Sequence, residues 1–192
     1  MFLTRNLVNL TNIHVMYTMK MKDSFMEYRE IGPNDFSGLM IFVRKLVRKH
    51  LRRDRVGIML GLANMGFQRG AFVGGLHFVG TNEIFLNRNA LNVMKNETGD
   101  PELYKAYILF LLLHEYIHAV GITDERATRQ ITQEIILKEF DKDHPVGQLA
   151  TKGLNALFPY TFADRTHIPT PQERVDIEII MLRHPDSELT YI

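Results

Sequence analysis

Apolar residues recur at helical spacing from Phe36 to Leu51, with Phe36, Leu39, Met40, Val43, Leu46, Val47 and Leu51 on one side. Pro33-Asn34-Asp35 stands ahead of them, so the pattern predicts a helix running to about Arg53. Two short apolar stretches follow, Val56 to Ala63 and Gly70 to Val79, and each predicts a strand, the second carrying Gly74 and Gly75. Thr81 to Asn87 reads as a third short strand, and Asn89 to Lys95 as a short helical or loop segment. From Leu103 to Val120 the chain is apolar on every side, which predicts a helix inside a core. Asp100 is a suitable N-cap, Pro101 suits the first helical position, Glu102 complements the positive helix end and Gly121 offers a left-handed stop. Glu125 to Phe140 is amphipathic, with Ile131, Ile135, Ile136 and Phe140 expected inward. Asp141 to Pro145 predicts a turn, and Val146 to Phe158 a helix loosened by Gly147 and Gly153. Pro159 to Pro171 reads as a loop, and Val175 to Met181 as a strand with Met181 in the core. The first thirty residues are rich in methionine, with possible strand at Ile13 to Met19, and suggest an arm or an added strand. The sum is an α+β domain over residues 31–192, with a small mixed sheet and a mostly helical C-terminal half.

Composition narrows the function. At 192 residues and 45% hydrophobic, the chain can bury one substantial core but not two ordinary domains. With no cysteine, any metal site must draw on His, Asp or Glu. The longest apolar run, ending at Leu113, is much shorter than the ~20 residues a membrane span needs. Met1 to Lys20 has no continuous apolar stretch, so the expected location is cytoplasmic, without membrane association. The polar side of the first helix is basic, through Arg44, Lys45, Arg48, Lys49, Arg52, Arg53 and Arg55. Such a run could meet nucleic acid or an acidic partner, but the net charge of +1 favours a solvated face balanced by acids elsewhere.

The chemistry concentrates at His114-Glu115-Tyr116-Ile117-His118, near the end of the apolar helix. Residues four apart share a helix face, so His114 and His118 can present two imidazole nitrogens to one ion, with Glu115 beside them as a base for water. Polar groups in so apolar a helix must be paired or face a cleft, because burying them unpartnered costs several kcal/mol, on the order of 2–7.

The run resembles the motif of the zincin metallopeptidases. Extended through Ala119-Val120-Gly121-Ile122-Thr123-Asp124, it is similar to the metzincin pattern H-E-x-x-H-x-x-G-x-x-H, with Asp in the last position. The resemblance implies a zincin-like fold, one zinc ion, a peptide or protein substrate, and Asp124 as the third ligand after a turn at Gly121. Asp124 could also cap the following helix, and its two oxygens permit both roles. Glu134, placed as gluzincins place their third ligand, Glu125 and His144 are the alternatives. The resemblance further implies that Thr81–Asn87 is the edge strand above the cleft, which would bring Asn82 and Asn87 near substrate; both also suit turns. Met181 is the one plausible source of a metzincin Met-turn, Tyr160 could offer a hydroxyl to an oxyanion, and His167 and His184 fall in later loops.

The expected activity is peptide-bond hydrolysis with Glu115 as general base. The alternative is a catalytically silent zincin-like module that binds nucleic acid or an acidic partner through Arg44–Arg55. Substrate preference, latency and oligomeric state are open at this level.

Overall fold

The computed structural model describes residues 23–67, 73–157 and 166–183. The possible strand at 13–19, Tyr160 and His184 lie outside them. Residues 23–30, within the expected arm, are helical, and Tyr28 is fully buried. In chain order there follow α1 (Phe36–Leu51), β1 (Met59–Ala63), β2 (Gly75–His77), β3 (Glu83–Asn87) and α2 (Arg88–Thr98). Then come α3 (Pro101–Ala119), α4 (Glu125–Glu139), α5 (Pro145–Lys152), α6 (Leu154–Leu157), α7 (Pro171–Val175) and β4 (Ile177–Ile180). The α+β reading holds, with a small mixed sheet and helices predominating after β3.

The sheet order is β2-β3-β1-β4, with β1 and β3 parallel and both outer strands antiparallel to their neighbours. Leu60 pairs with Ile84 and Leu62 with Leu86, and all four are buried, so one face of the central strands carries the core. The edge-strand expectation therefore needs correction: Thr81–Asn87 contributes β3, which is flanked on both sides, and β2 is the edge. Asn87 is buried as the cap of α2 and also donates to the carbonyls of Gly66 and Val73, at 3.0 and 2.9 Å. Asn82 accepts from Arg55 Nε at 2.7 Å. Met181 is 86% exposed, so the expectation of a core methionine fails. It follows β4, which among the described residues pairs only with β1 and points Ile177 and Ile179 outward too.

Helix α3 runs through the centre. Asp100 caps it by accepting from the backbone N–H groups of Glu102 and Leu103, an arrangement worth about 1 kcal/mol. Its apolar residues are buried on almost every side, and each large one contributes about 1.5–3 kcal/mol. Lys105 is buried among them. Its ammonium donates to the Ile31 carbonyl at 3.1 Å, pairs with Glu102 at 3.0 Å and lies 4.3 Å from the Tyr28 ring centroid, which satisfies the charge and ties residues 23–31 to α3.

At the other end of α3 the basic run of α1 finds its use. Arg55 donates to the Ala119 carbonyl at 2.7 Å and Arg53 to that of Val120 at 3.1 Å, so two guanidiniums complement the negative end of the helix. Arg44 makes a two-pronged bond to Asp54 at 2.7 and 2.9 Å, and Tyr116 donates to the same carboxylate at 2.8 Å. The bonds from Arg44 hold the Asp54 carboxyl at about 2 against the opposing effect of burial. Lys45 pairs with Glu27, and Lys49 with Glu139. Among the described residues no helix is long and apolar enough to cross a membrane.

Candidate metal centre

The same periodicity that buries α3 aligns Tyr107, Leu111, His114 and His118 along one side of it. That side forms the floor of a cleft of about 1040 Å3, walled by residues 73–77, by α4 and by the segment around α5 and α6. Edge strand β2 lies close over the floor because it begins with glycine. A Cβ on Gly75 would stand 3.0 Å from Cγ of Glu115, and one on Gly74 would stand 2.6 Å from a methyl of Leu111.

Val120 and Gly121 end α3, Gly121 at φ +96°, and the chain turns back into α4. The reversal sets the first residue of α4, Glu125, opposite the imidazoles. Glu125 Oε2 lies 3.4 Å from His114 Nε2 and 3.2 Å from His118 Nε2, and all three atoms fall within 4.8 Å of one another. The imidazole rings stand edge to face with centroids 4.9 Å apart.

The hydrogen bonds fix the character of these donors. His118 Nδ1 is 2.7 Å from the Ile122 carbonyl, which only an N–H can satisfy, so neutral His118 carries its lone pair on Nε2. That lone pair faces a carboxylate oxygen, and two acceptors at such a distance repel unless a proton or a cation lies between them. Burial holds His114 below the usual imidazole range, outweighing Glu125, whose charge works the other way. Protonating His114 at neutral pH is therefore disfavoured. A tetrahedral ion with bonds of about 2.0–2.1 Å separates its ligand atoms by about 3.3 Å, and the two imidazole-to-carboxylate separations fit that edge. Burial would raise Glu125, but the imidazoles in their protonated forms, His114 foremost, and the hydrogen bond and charge of Arg129 hold it below the usual carboxylate range. The chemistry and the spacing of this set suit a divalent metal ion.

Glu115 differs from every other carboxylate among the described residues. It is 6% exposed, no hydrogen bond engages its oxygens among the described residues, and burial, with the charge of Glu125, pushes its carboxyl up to about 8. It opens into the cleft beside the donor atoms.

Of the sequence expectations, His114, Glu115 and His118 converge. Asp124 takes the capping role: its carboxylate accepts from Ala127 N–H at 2.7 Å as N-cap of α4, and Glu125 is the acid that meets the imidazoles. Glu134 is exposed and accepts from Gln130 at 2.9 Å. His144 caps α5 and stacks on Phe140. His167 bridges to Phe67 and stands 3.6 Å from Glu173, while Met181, Asn82 and Asn87 do not line the cleft. Neither the importance of Glu125 nor the closeness of β2 stands out in sequence, although paired glycines before a strand hint at the second. No family model, no curated protein and no solved structure matches the chain.

Proposed function

We propose that this chain is a zinc-dependent peptidase of zincin type. The reading is carried by one juxtaposition: two imidazole nitrogens and a carboxylate oxygen converge at metal-ligand spacing, and a buried carboxylate without a hydrogen bond stands next to them in a cleft. His114, His118 and Glu125 would hold the ion, with Asp124 setting the N-terminus of α4 and so the position of Glu125. Zinc in such a set supplies Lewis acidity, polarising a carbonyl oxygen and lowering the pKa of water to roughly 7. Glu115 takes the proton from the attacking water and passes it to the departing amine. Its burial makes it a strong base, and a cation close by favours its ionised form at neutral pH. The outer edge of β2 supplies backbone groups along the cleft, where an extended peptide can add as a further strand.

The basic helix supports a binding module less well, because Arg44, Lys45, Lys49, Arg53 and Arg55 are already engaged within the fold. The test is elemental analysis of the purified protein joined to cleavage of a mixed peptide library. About one zinc per chain and chelator-sensitive cleavage are expected. A protein that takes up no zinc when offered it, or that cleaves nothing when loaded, overturns the reading.

A further inference from the structure

Tyr107 is almost completely buried, yet its hydroxyl has no hydrogen-bond partner among the described residues. It lines the cleft two turns before His114, and a Cβ on Gly74 would stand 3.3 Å from its oxygen. The cleft it lines has apolar walls at Phe110 and Leu111 of α3 and at Leu149, Ala150 and Leu154, with Gln133 and Lys152 among them. A buried hydroxyl left unpaired works against folding, and phenylalanine would fill the same space without that penalty. No group among the described residues supplies that bond.

We infer that this end of the cleft is a side-chain subsite, and that Tyr107 selects a long residue whose tip accepts a hydrogen bond, such as glutamine. This rests on the peptidase reading and names its substrate class. Arg126, Arg129 and Lys152 line the same cleft, so an ammonium tip is disfavoured there. The seven residues from Tyr107 to His114 span about 10 Å of helix, the reach of two or three residues of extended peptide. The selected residue accordingly lies within three positions of the cleaved bond. A site built to hydrogen-bond a group discriminates against an isostere lacking it far better than an apolar wall distinguishes sizes.

The test compares peptides that differ only in glutamine or norleucine at each position around the scissile bond. Wild-type protein should cleave the glutamine peptide about tenfold more efficiently at one position. Tyr107→Phe should erase that preference by slowing the glutamine peptide to the norleucine rate, with its zinc content and its rate on norleucine unchanged. Its melting temperature should stay level or rise, as removal of an unpaired hydroxyl requires. The same pair is then measured by fluorescence anisotropy on Glu115→Gln protein, with and without Tyr107→Phe, so that selection is read without turnover. A Tyr107→Phe protein that keeps the wild-type preference in both assays, or equal binding of the two peptides before the change, overturns the inference. Selective binding without cleavage by the wild type leaves the subsite standing and overturns the peptidase reading instead.

Discussion

Two glutamates are buried among the described residues, and they are treated in opposite ways. Glu139, 1% exposed at the end of α4, receives both Lys49 and His50 on one oxygen. Burial alone would raise its carboxyl, but hydrogen bonds from His50, Lys49 and Ser24 outweigh it and hold it at about 2. Glu115 is nearly as buried and has no such partners, so burial pushes it up to about 8. One acid is locked into the fold. The other is left without a hydrogen-bond partner among the described residues. Each lies within reach of histidine chemistry, so proximity to imidazole does not separate the two; what separates them is that Glu139 receives hydrogen bonds on one oxygen, while Glu115 receives none among the described residues.

Substitutions can break that contrast, and the largest effects belong to the cleft. His114→Ala should lose both zinc and hydrolysis, whereas Glu115→Gln should keep zinc and lower kcat by about 10²–10⁴-fold. Metal analysis alongside kinetics separates the two, and unchanged turnover in Glu115→Gln would remove that residue from the mechanism. Next comes the third ligand. Glu125→Ala should weaken zinc binding by at least the 10–100-fold typical of lost supporting contacts, read by competition with a chelator. Asp124→Ala should retain the metal while losing about 1 kcal/mol of stability with its cap. Reversed outcomes would exchange the roles of the two acids.

At the locked carboxylate, Glu139→Gln should leave zinc content untouched and lower stability at neutral pH by about 1–3 kcal/mol, after allowance for solvent around Lys49. A carboxyl held below its ordinary 4.5 contributes stability at higher pH and loses it as pH falls towards about 2. Denaturant melts of wild type should therefore weaken through that window, and those of Glu139→Gln should weaken less. The mildest change is Gly75→Ala. Its added methyl meets Glu115 Cγ at 3.0 Å, so kcat should fall a few-fold with zinc content constant.

The long helices were legible because their signals are local, whereas the helical turns at 23–30 and at α7 were not expected. Asp100-Pro101 and Gly121 bracket α3, and the inward set expected of α1 is buried or packed against the core. His114 and His118 were legible for the same reason, since four residues of helix place both imidazoles. What escaped depends on tertiary placement. The strand running Thr81–Asn87 was recognisable, but its position inside the sheet rests on pairing with β1 and β2, which no short window of sequence encodes. Met181 looked like core because its neighbours are apolar, and only the marginal location of β4 turns it outward. Asp124 and Glu125 are adjacent acids, and the choice between them turns on the angle at which α4 begins.

The short reversal through Gly121 makes the donor set almost self-contained, since a dozen consecutive residues carry all three groups. Closing so small a loop costs little chain entropy, so ion uptake should depend mainly on two helix ends and hardly on the sheet. Turnover has a wider footprint, because the strand that would align a peptide is contributed by residues some forty positions earlier. Loosening the sheet should thus yield a protein that remains loaded but idle, and occupancy alone is a poor gauge of competence for this molecule.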